Sequence, residues 1–286
     1  MSKAAYQLEL PEKRTTSVIF ASPHSGRSYS RAFLQKTVLD ELAIRSSEDA
    51  FVDLLFADVP HYGAPLLSAL APRAFVDLNR NVTELDPALI DGVPRSGLNP
   101  RVASGLGVIP RVVSGGRQIY RGKLSRHEAD QRLTQYWLPY HNILERLVSE
   151  NCRLFGHAVL VDCHSMPHEA IGSINPRIGP KPEIVLGDRY GAAANGDIVD
   201  RIEAAFLAAG LTVVRNMPFA GAYVAHHYGR PSLNRHAVQI EIDRSLYMNE
   251  KLIRPNANFR SFQKIIASLA RDISEIGRSG RSLAAE

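Results

Sequence analysis

The run Ala158-Val159-Leu160-Val161-Asp162-Cys163-His164-Ser165-Met166-Pro167 carries the reading of the fold. Its opening residues are apolar and rich in valine, too few for a helix, and read as a buried strand that gives way to Asp162, Cys163 and His164. Open α/β sheets hold their ligands at the carboxyl ends of strands, so these polar side chains stand where a site is expected. A second run has the same design: Ser17-Val18-Ile19-Phe20-Ala21-Ser22-Pro23-His24-Ser25-Gly26, with Pro23 breaking the ladder before His24. Two readings follow. Either His24 and His164 meet above one sheet edge around a metal ion, or each is a loop histidine bonded to its own turn.

Outward from these strands, helical and extended patterns alternate. Spacing of Phe33, Leu34, Val38, Leu39 and Leu42 predicts one or two short helices over 30–44, and serines 46 and 47 cap a segment that runs through Glu48 and Asp49 to Phe56. Those two carboxylates suit a helix's first turn, and they are also the nearest acidic pair after His24. Strands are expected over 62–71 and 73–78, the second ending in Asp77-Leu78-Asn79-Arg80-Asn81. Residues 82–122, rich in Gly and Pro, read as long loops over the sheet edge. A helix over 124–154 has an apolar face of Trp137, Leu138, Ile143, Leu144 and Leu147. Beyond the central strand come a Gly/Pro-rich loop at 167–182, a short strand at 183–186, a helix at 197–209, a strand at 211–215 and a glycine-rich stretch at 217–236. The strand at 237–244 alternates, with Gln239, Glu241 and Asp243 on one face and Val238, Ile240 and Ile242 on the other, and an amphipathic helix at 259–276 and a frayed tail close the chain. The expected fold is an α/β sandwich on a mixed, largely parallel sheet, formed as a single domain over 1–286.

With 286 residues, 45% of them hydrophobic and 22% charged, the chain is long enough for one large core without disulfides. Cys152 and Cys163 are expected as reduced thiols. No run is long enough for a membrane span and the first residues do not resemble a signal peptide, so the expected location is cytoplasmic, with no membrane partner. The formal charge of +5 is spread along the chain without a polybasic run; it fits an anionic small substrate as well as nucleic acid and decides nothing alone, and the expectation is a small anionic substrate and no nucleic acid.

Two strand-end imidazoles, a carboxylate and an open position make a zinc site able to activate water. Such chemistry needs a separate carboxylate for the proton, and Glu241 is placed for it. Asp162, two residues before His164, is a candidate acceptor behind a ligand imidazole, and Arg80 with Asn79 a clamp for a substrate carboxylate. Tyr223, Arg230 and Arg244, close to Glu241 in sequence, are further pocket candidates, or else ordinary loop and strand-edge groups. Helical zinc signatures, a P-loop, a dinucleotide fingerprint and a Gly-x-Ser-x-Gly elbow are absent.

Taken in order, Ser22-Pro23-His24-Ser25-Gly26, residues 49–56, Asp77-Leu78-Asn79-Arg80, Tyr120-Arg121-Gly122, Asp162-Cys163-His164-Ser165-Met166 and Gln239-Ile240-Glu241 resemble the N-formylglutamate amidohydrolase family. The resemblance runs from about residue 17 to residue 250. It implies a three-layer α/β/α, phosphorylase/hydrolase-like fold shared with zinc carboxypeptidases and the aspartoacylase group, and hydrolysis of the formamide bond of N-formyl-L-glutamate to formate and L-glutamate late in histidine breakdown. It implies one zinc ion, for which another divalent metal can substitute, on His24, Asp49 and His164, with Glu48 as the alternative acidic ligand. Glu241 matches the general base; Asn79, Arg80, Arg121, Tyr223 and Arg244 are the substrate-binding candidates. A zinc carboxypeptidase or a deacylase for another N-acyl amino acid or peptide is the alternative within this chemistry, and a non-catalytic binding module the alternative outside it.

Overall fold

A computed structural model describes residues 4–95, 97, 99–172 and 181–278. The strands β1 (Tyr6–Glu9), β2 (Val18–Ser22), β3 (Leu66–Ala69), β4 (Ala158–Met166), β5 (Ile184–Gly187), β6 (Val213–Arg215) and β7 (Arg235–Asp243) form one sheet in the order β1-β3-β2-β4-β7-β5-β6. The four central strands are parallel to one another, and β1 and β5 join antiparallel at either side. The sheet is thus mixed and mostly parallel, as the alternation of patterns predicts.

Around it lie α1 (Arg31–Lys36), α2 (Glu41–Arg45), α3 (Val52–Leu55), α4 (Pro100–Ala103), α5 (Arg126–Arg132), α6 (Leu138–Phe155), α7 (Gly196–Ala208), α8 (Tyr223–Tyr228) and α9 (Phe259–Ile276). The pleat sorts the core into two halves. Val18, Phe20, Val159, Val161, Val238 and Ile240 face α3, α7 and α9, whose Phe206, Phe262 and Ile266 fill that layer. Ile19, Ala21, Leu160 and Ala237 face the opposite way, against Tyr140 and Leu144 of α6 and Tyr228 of α8. Burying each large apolar side chain contributes roughly 1.5–3 kcal/mol, so both layers are needed to hold the sheet.

Along β4 and β7 this second face changes character. Ala158 and Leu160 are followed at the same parity by Asp162 and His164, and Ala237 by Gln239 and Glu241. In the parallel register Asp162 lies beside Gln239 and His164 beside Glu241, so four polar side chains share one face at the carboxyl end.

Elsewhere the structure departs from expectation. The expected strand over 73–78 is a series of turns in which Pro72 O accepts from Phe75 N and Val76 N, at 2.9 and 3.2 Å. Ala74, Val76 and Leu78 are buried in the core without a partner ladder, so their alternation recorded burial and not pairing. The stretch at 217–236 includes α8, and β1 extends the sheet edge where no strand was expected. The long helix at 124–154 is α5 and α6 joined by a π turn, Leu133–Trp137, one turn before Pro139, whose ring cannot accept a regular helical turn behind it. Cys152 and Cys163 are unpaired. Residues 173–180 of the expected 167–182 loop, and 279–286 of the expected tail, lie outside the described residues. Among the described residues no helix is long and apolar enough to cross a membrane.

Candidate metal centre

Because β2 and β4 are parallel neighbours, with Ala21 opposite Asp162, their carboxyl ends share one edge. His24 stands just past β2 in a turn closed by a Ser22 Oγ to Ser25 Oγ hydrogen bond of 2.9 Å. Gly26 is needed there, since a Cβ at that position would sit 2.1 Å from the Ala71 carbonyl oxygen. The His24 and His164 rings come to 4.7 Å between centroids, inclined at 67°. Asp49 completes the group: its Oδ2 is 2.9 Å from His164 Nδ1 and 3.4 Å from His24 Nδ1. One donor atom from each of the three lies within 4.8 Å of the others, and all three residues are buried.

The far nitrogens are tied. His24 Nε2 is 2.7 Å from Asp77 Oδ1, and His164 Nε2 is 3.0 Å from Asp162 Oδ2. A carboxylate at Nε2 fixes the proton there and turns the Nδ1 lone pair inward on both rings. His24 Nδ1 is buried and has no hydrogen bond, which costs free energy unless an electrophile meets it. The donor set, two imidazole nitrogens and one carboxylate oxygen, suits zinc and related divalent ions, so the residues fit the group.

The electrostatics agree. Burial works to raise the pKa of Asp49, but the His164 and His24 rings beside it overturn this and hold the carboxyl well below its usual range. Burial likewise opposes ionisation of Asp77, and the charges of His24 and Arg73 overcome it. His164 is driven upward by Asp162 and Asp49 in spite of burial, which shows how strongly the pocket draws positive charge to those nitrogens. A proton and a metal ion compete for them.

Asp49 is aimed by its surroundings. Its N–H donates to His24 O at 3.1 Å, and Arg244 Nη2 donates to its Oδ1 at 2.9 Å. Phe51, at φ 67°, takes a left-handed conformation uncommon for an aromatic residue and turns the chain between Asp49 and α3. Glu48 does not join the group, because Tyr29 Oη at 2.6 Å and Arg45 Nε at 3.0 Å occupy its Oε1 and Arg45 Nη2 its Oε2.

Glu241, next to His164 in the sheet register, accepts from Gln239 Nε2 at 2.9 Å. Burial raises its pKa to about 7, with His164, Arg73 and Arg244 pulling down and Asp49 pushing up. It lines a cleft of about 610 Å3 together with His24, Asp49, His164, Asn79, Arg80 and Arg244. Asn79 is spent within the protein: Nδ2 reaches Asp162 Oδ2 at 3.3 Å, and Oδ1 accepts from Val224 N at 2.7 Å. Arg80 is 7% exposed, and its Nε has no hydrogen-bond partner. Arg244 also bonds Ser165 Oγ at 3.2 Å, so it braces the metal-facing carboxylate. Arg121 is exposed and does not line the cleft, and Tyr223 packs among Trp137, His141 and His227.

Asp77, Gln239, Arg73 and Arg101 also line or support this cleft without having been singled out in the sequence for these positions. Asp77 and Gln239 stood inside the motifs quoted for the resemblance, which was the available signal. Arg73 opens a segment whose alternation recorded only the burial of Ala74, Val76 and Leu78, and Arg101 lies in the four-residue α4, too short for a period to single it out.

Comparison with known proteins agrees with the geometry. The sequence profile of the family described as N-formylglutamate amidohydrolase matches residues 16–248. The chain is 28% identical to an N-formylglutamate deformylase of Pseudomonas aeruginosa over 237 residues, 82% of this chain and 83% of that one. A second such deformylase, from Pseudomonas putida, is 28% identical over 240 residues, covering 82% of each. The crystal structure of an N-formylglutamate amidohydrolase from Ralstonia eutropha JMP134 superposes with a TM-score of 0.90 at 34% identity, covering 96% of this chain and 99% of that one.

Proposed function

Since the chain belongs to the N-formylglutamate amidohydrolase family and is a hydrolase acting on an amide, we propose that it cleaves the formamide bond of N-formyl-L-glutamate, giving formate and L-glutamate. The observation that carries this reading is the convergence of His24, Asp49 and His164 beside a buried carboxylate, Glu241. His24, Asp49 and His164 would hold a zinc ion, which when bound would acidify a water and polarise the carbonyl oxygen. Glu241 accepts the proton of the attacking water on a carboxylate oxygen and delivers it to the amide nitrogen as the bond to the formyl carbon breaks. Its pKa of about 7 suits both transfers at neutral pH. Gln239 holds Glu241 at 2.9 Å and keeps the carboxylate aimed. Arg80, buried and with its Nε free, pairs with a substrate carboxylate.

Replacing Glu241 by Gln keeps the metal and lowers kcat by roughly 10²- to 10⁴-fold, the range of a general base. At saturating zinc, wild-type kcat/KM falls as acid protonates Glu241, at or below about pH 7, and the residual rate of the variant lacks that limb. An undiminished rate in the variant removes Glu241 from the reaction.

One observation favours a second substrate within the same chemistry. The cleft, about 610 Å3, falls in the range of roughly 300–1,000 Å3 that accepts much larger ligands, and Leu106, Pro110 and Val112 give it an apolar wall. Those features suit an N-acyl amino acid or peptide with a bulkier acyl group. Relative kcat/KM on N-formyl- and N-hexanoyl-L-glutamate separates the two.

A further inference from the structure

Four arginines line the cleft against three carboxylates, Asp49, Asp77 and Glu241. Two of the four are answered within the site. Arg244 holds Asp49 at 2.9 Å, and Arg73 Nε holds Asp77 at 3.1 Å. Arg80 comes no nearer than 3.9 Å to Asp77, and its buried Nε is without a partner. The Arg101 guanidinium makes no hydrogen bond or ion pair among the described residues, although its backbone is fixed, its N–H bonded to Asn99 Oδ1 at 3.0 Å. Glu84, whose charge reaches Arg80, is engaged by Asn81 N and Asn99 Nδ2. Burial lowers the pKa of Arg80, Asp77 opposes that, and Arg101 then adds to the lowering, as expected of two like charges facing one space.

Two guanidinium groups lining one open cleft, Arg80 no nearer than 3.9 Å to Asp77 and Arg101 without a side-chain partner among the described residues, form a site for more than one anionic group. Arg80 is deep and rigid; Arg101 is exposed, at the rim. We propose that Arg101 is a specificity-determining residue, pairing with the side-chain carboxylate of the substrate while Arg80 pairs with the α-carboxylate, so that the cleft selects N-acyl dicarboxylic amino acids over neutral ones. The assignment rests on the amidohydrolase reading above.

The test compares N-formyl-L-glutamate with N-formyl-L-glutamine, which differ only in that charge. Arg101→Ala lowers the ratio of kcat/KM for the two by about 10- to 100-fold, the worth of a charge-assisted hydrogen bond. Arg101→Lys keeps part of the preference, and Arg80→Ala lowers both rates while leaving the ratio in place. An unchanged ratio in Arg101→Ala overturns the proposal. Calorimetry on zinc-loaded Glu241→Gln protein, with and without Arg101→Ala, reads the same preference as binding. If wild-type protein releases no formate from either compound, the amidohydrolase reading fails; the Arg101 assignment then stands if Glu241→Gln protein prefers the glutamate compound and loses that preference with Arg101→Ala, and falls if it binds both alike.

Discussion

At the scale of single residues, the centre depends on carboxylates that sit behind the imidazoles. Asp77 at 2.7 Å and Asp162 at 3.0 Å each take one Nε2–H, leaving both Nδ1 atoms turned toward Asp49. Asp77→Asn keeps a hydrogen-bond acceptor but removes the charge that makes the ring a better ligand. It is expected to weaken zinc binding by roughly 10- to 100-fold in a chelator-competition titration. Glu48→Gln is the matched control: it disturbs only the corner with Tyr29 and Arg45 and leaves the zinc affinity as it was. Equal losses in the two variants would show that the effect is general loosening of the loop and not support of His24.

At the scale of elements, the π turn Leu133–Trp137 links α6 to the cleft. Trp137 Nε1 donates to Arg80 O at 2.9 Å, so this turn fixes the backbone that carries Arg80, the arginine proposed to pair with the substrate. Trp137→Phe leaves that buried carbonyl unanswered, a cost of about 1–3 kcal/mol, and raises KM more than it lowers kcat. His141, one helical turn on, ties Leu78 O at 2.9 Å and Tyr228 Oη at 2.9 Å. Burial pushes its pKa from 6.5 down to about 3, so between those values only the unfolded chain takes up the proton. Stability from this group is therefore complete above about pH 6.5 and is lost as the pH falls toward 3. His141→Gln, which does not titrate, should show a shallower decline of Tm between pH 7 and pH 4.5 than the wild type. An equal slope would assign the acid sensitivity elsewhere.

At the scale of the molecule, four buried acids, Asp49, Asp77, Asp162 and Glu241, meet at one sheet edge, and a cation bound only by the folded chain adds its binding free energy to stability. Zinc at one hundred times its dissociation constant contributes about 2.7 kcal/mol. At roughly 2.1 cal/mol/K of unfolding entropy per residue, that is a rise in Tm of roughly 4–5 °C for a chain of 286 residues. Calorimetric scans with zinc and with a chelator should differ by that amount, and the difference should vanish in the His24→Ala/His164→Ala protein. A rise of the same size in the double variant would place the zinc effect outside these residues.

The sequence by itself determined the parts that obey a local period or a chain-order rule. Valine-rich runs ending at His24 and His164, the alternation that puts Gln239 and Glu241 on the side away from Val238 and Ile240, and the helix Phe259–Ile276 were all legible because burial writes itself into spacing. The resemblance put Asp49 ahead of Glu48, and the tertiary structure alone sets Asp49 beside the two imidazoles while Arg45 and Tyr29 engage Glu48 and the left-handed turn at Phe51 leads the chain away. It also decided that residues 73–78 turn instead of pairing, and that Arg73, Asp77 and Arg101 reach the cleft. Arg73 and Asp77 are carried by turns and Arg101 by the four-residue α4, and the direction of such short pieces is set by contacts with distant elements and leaves too little periodic trace in the residues themselves.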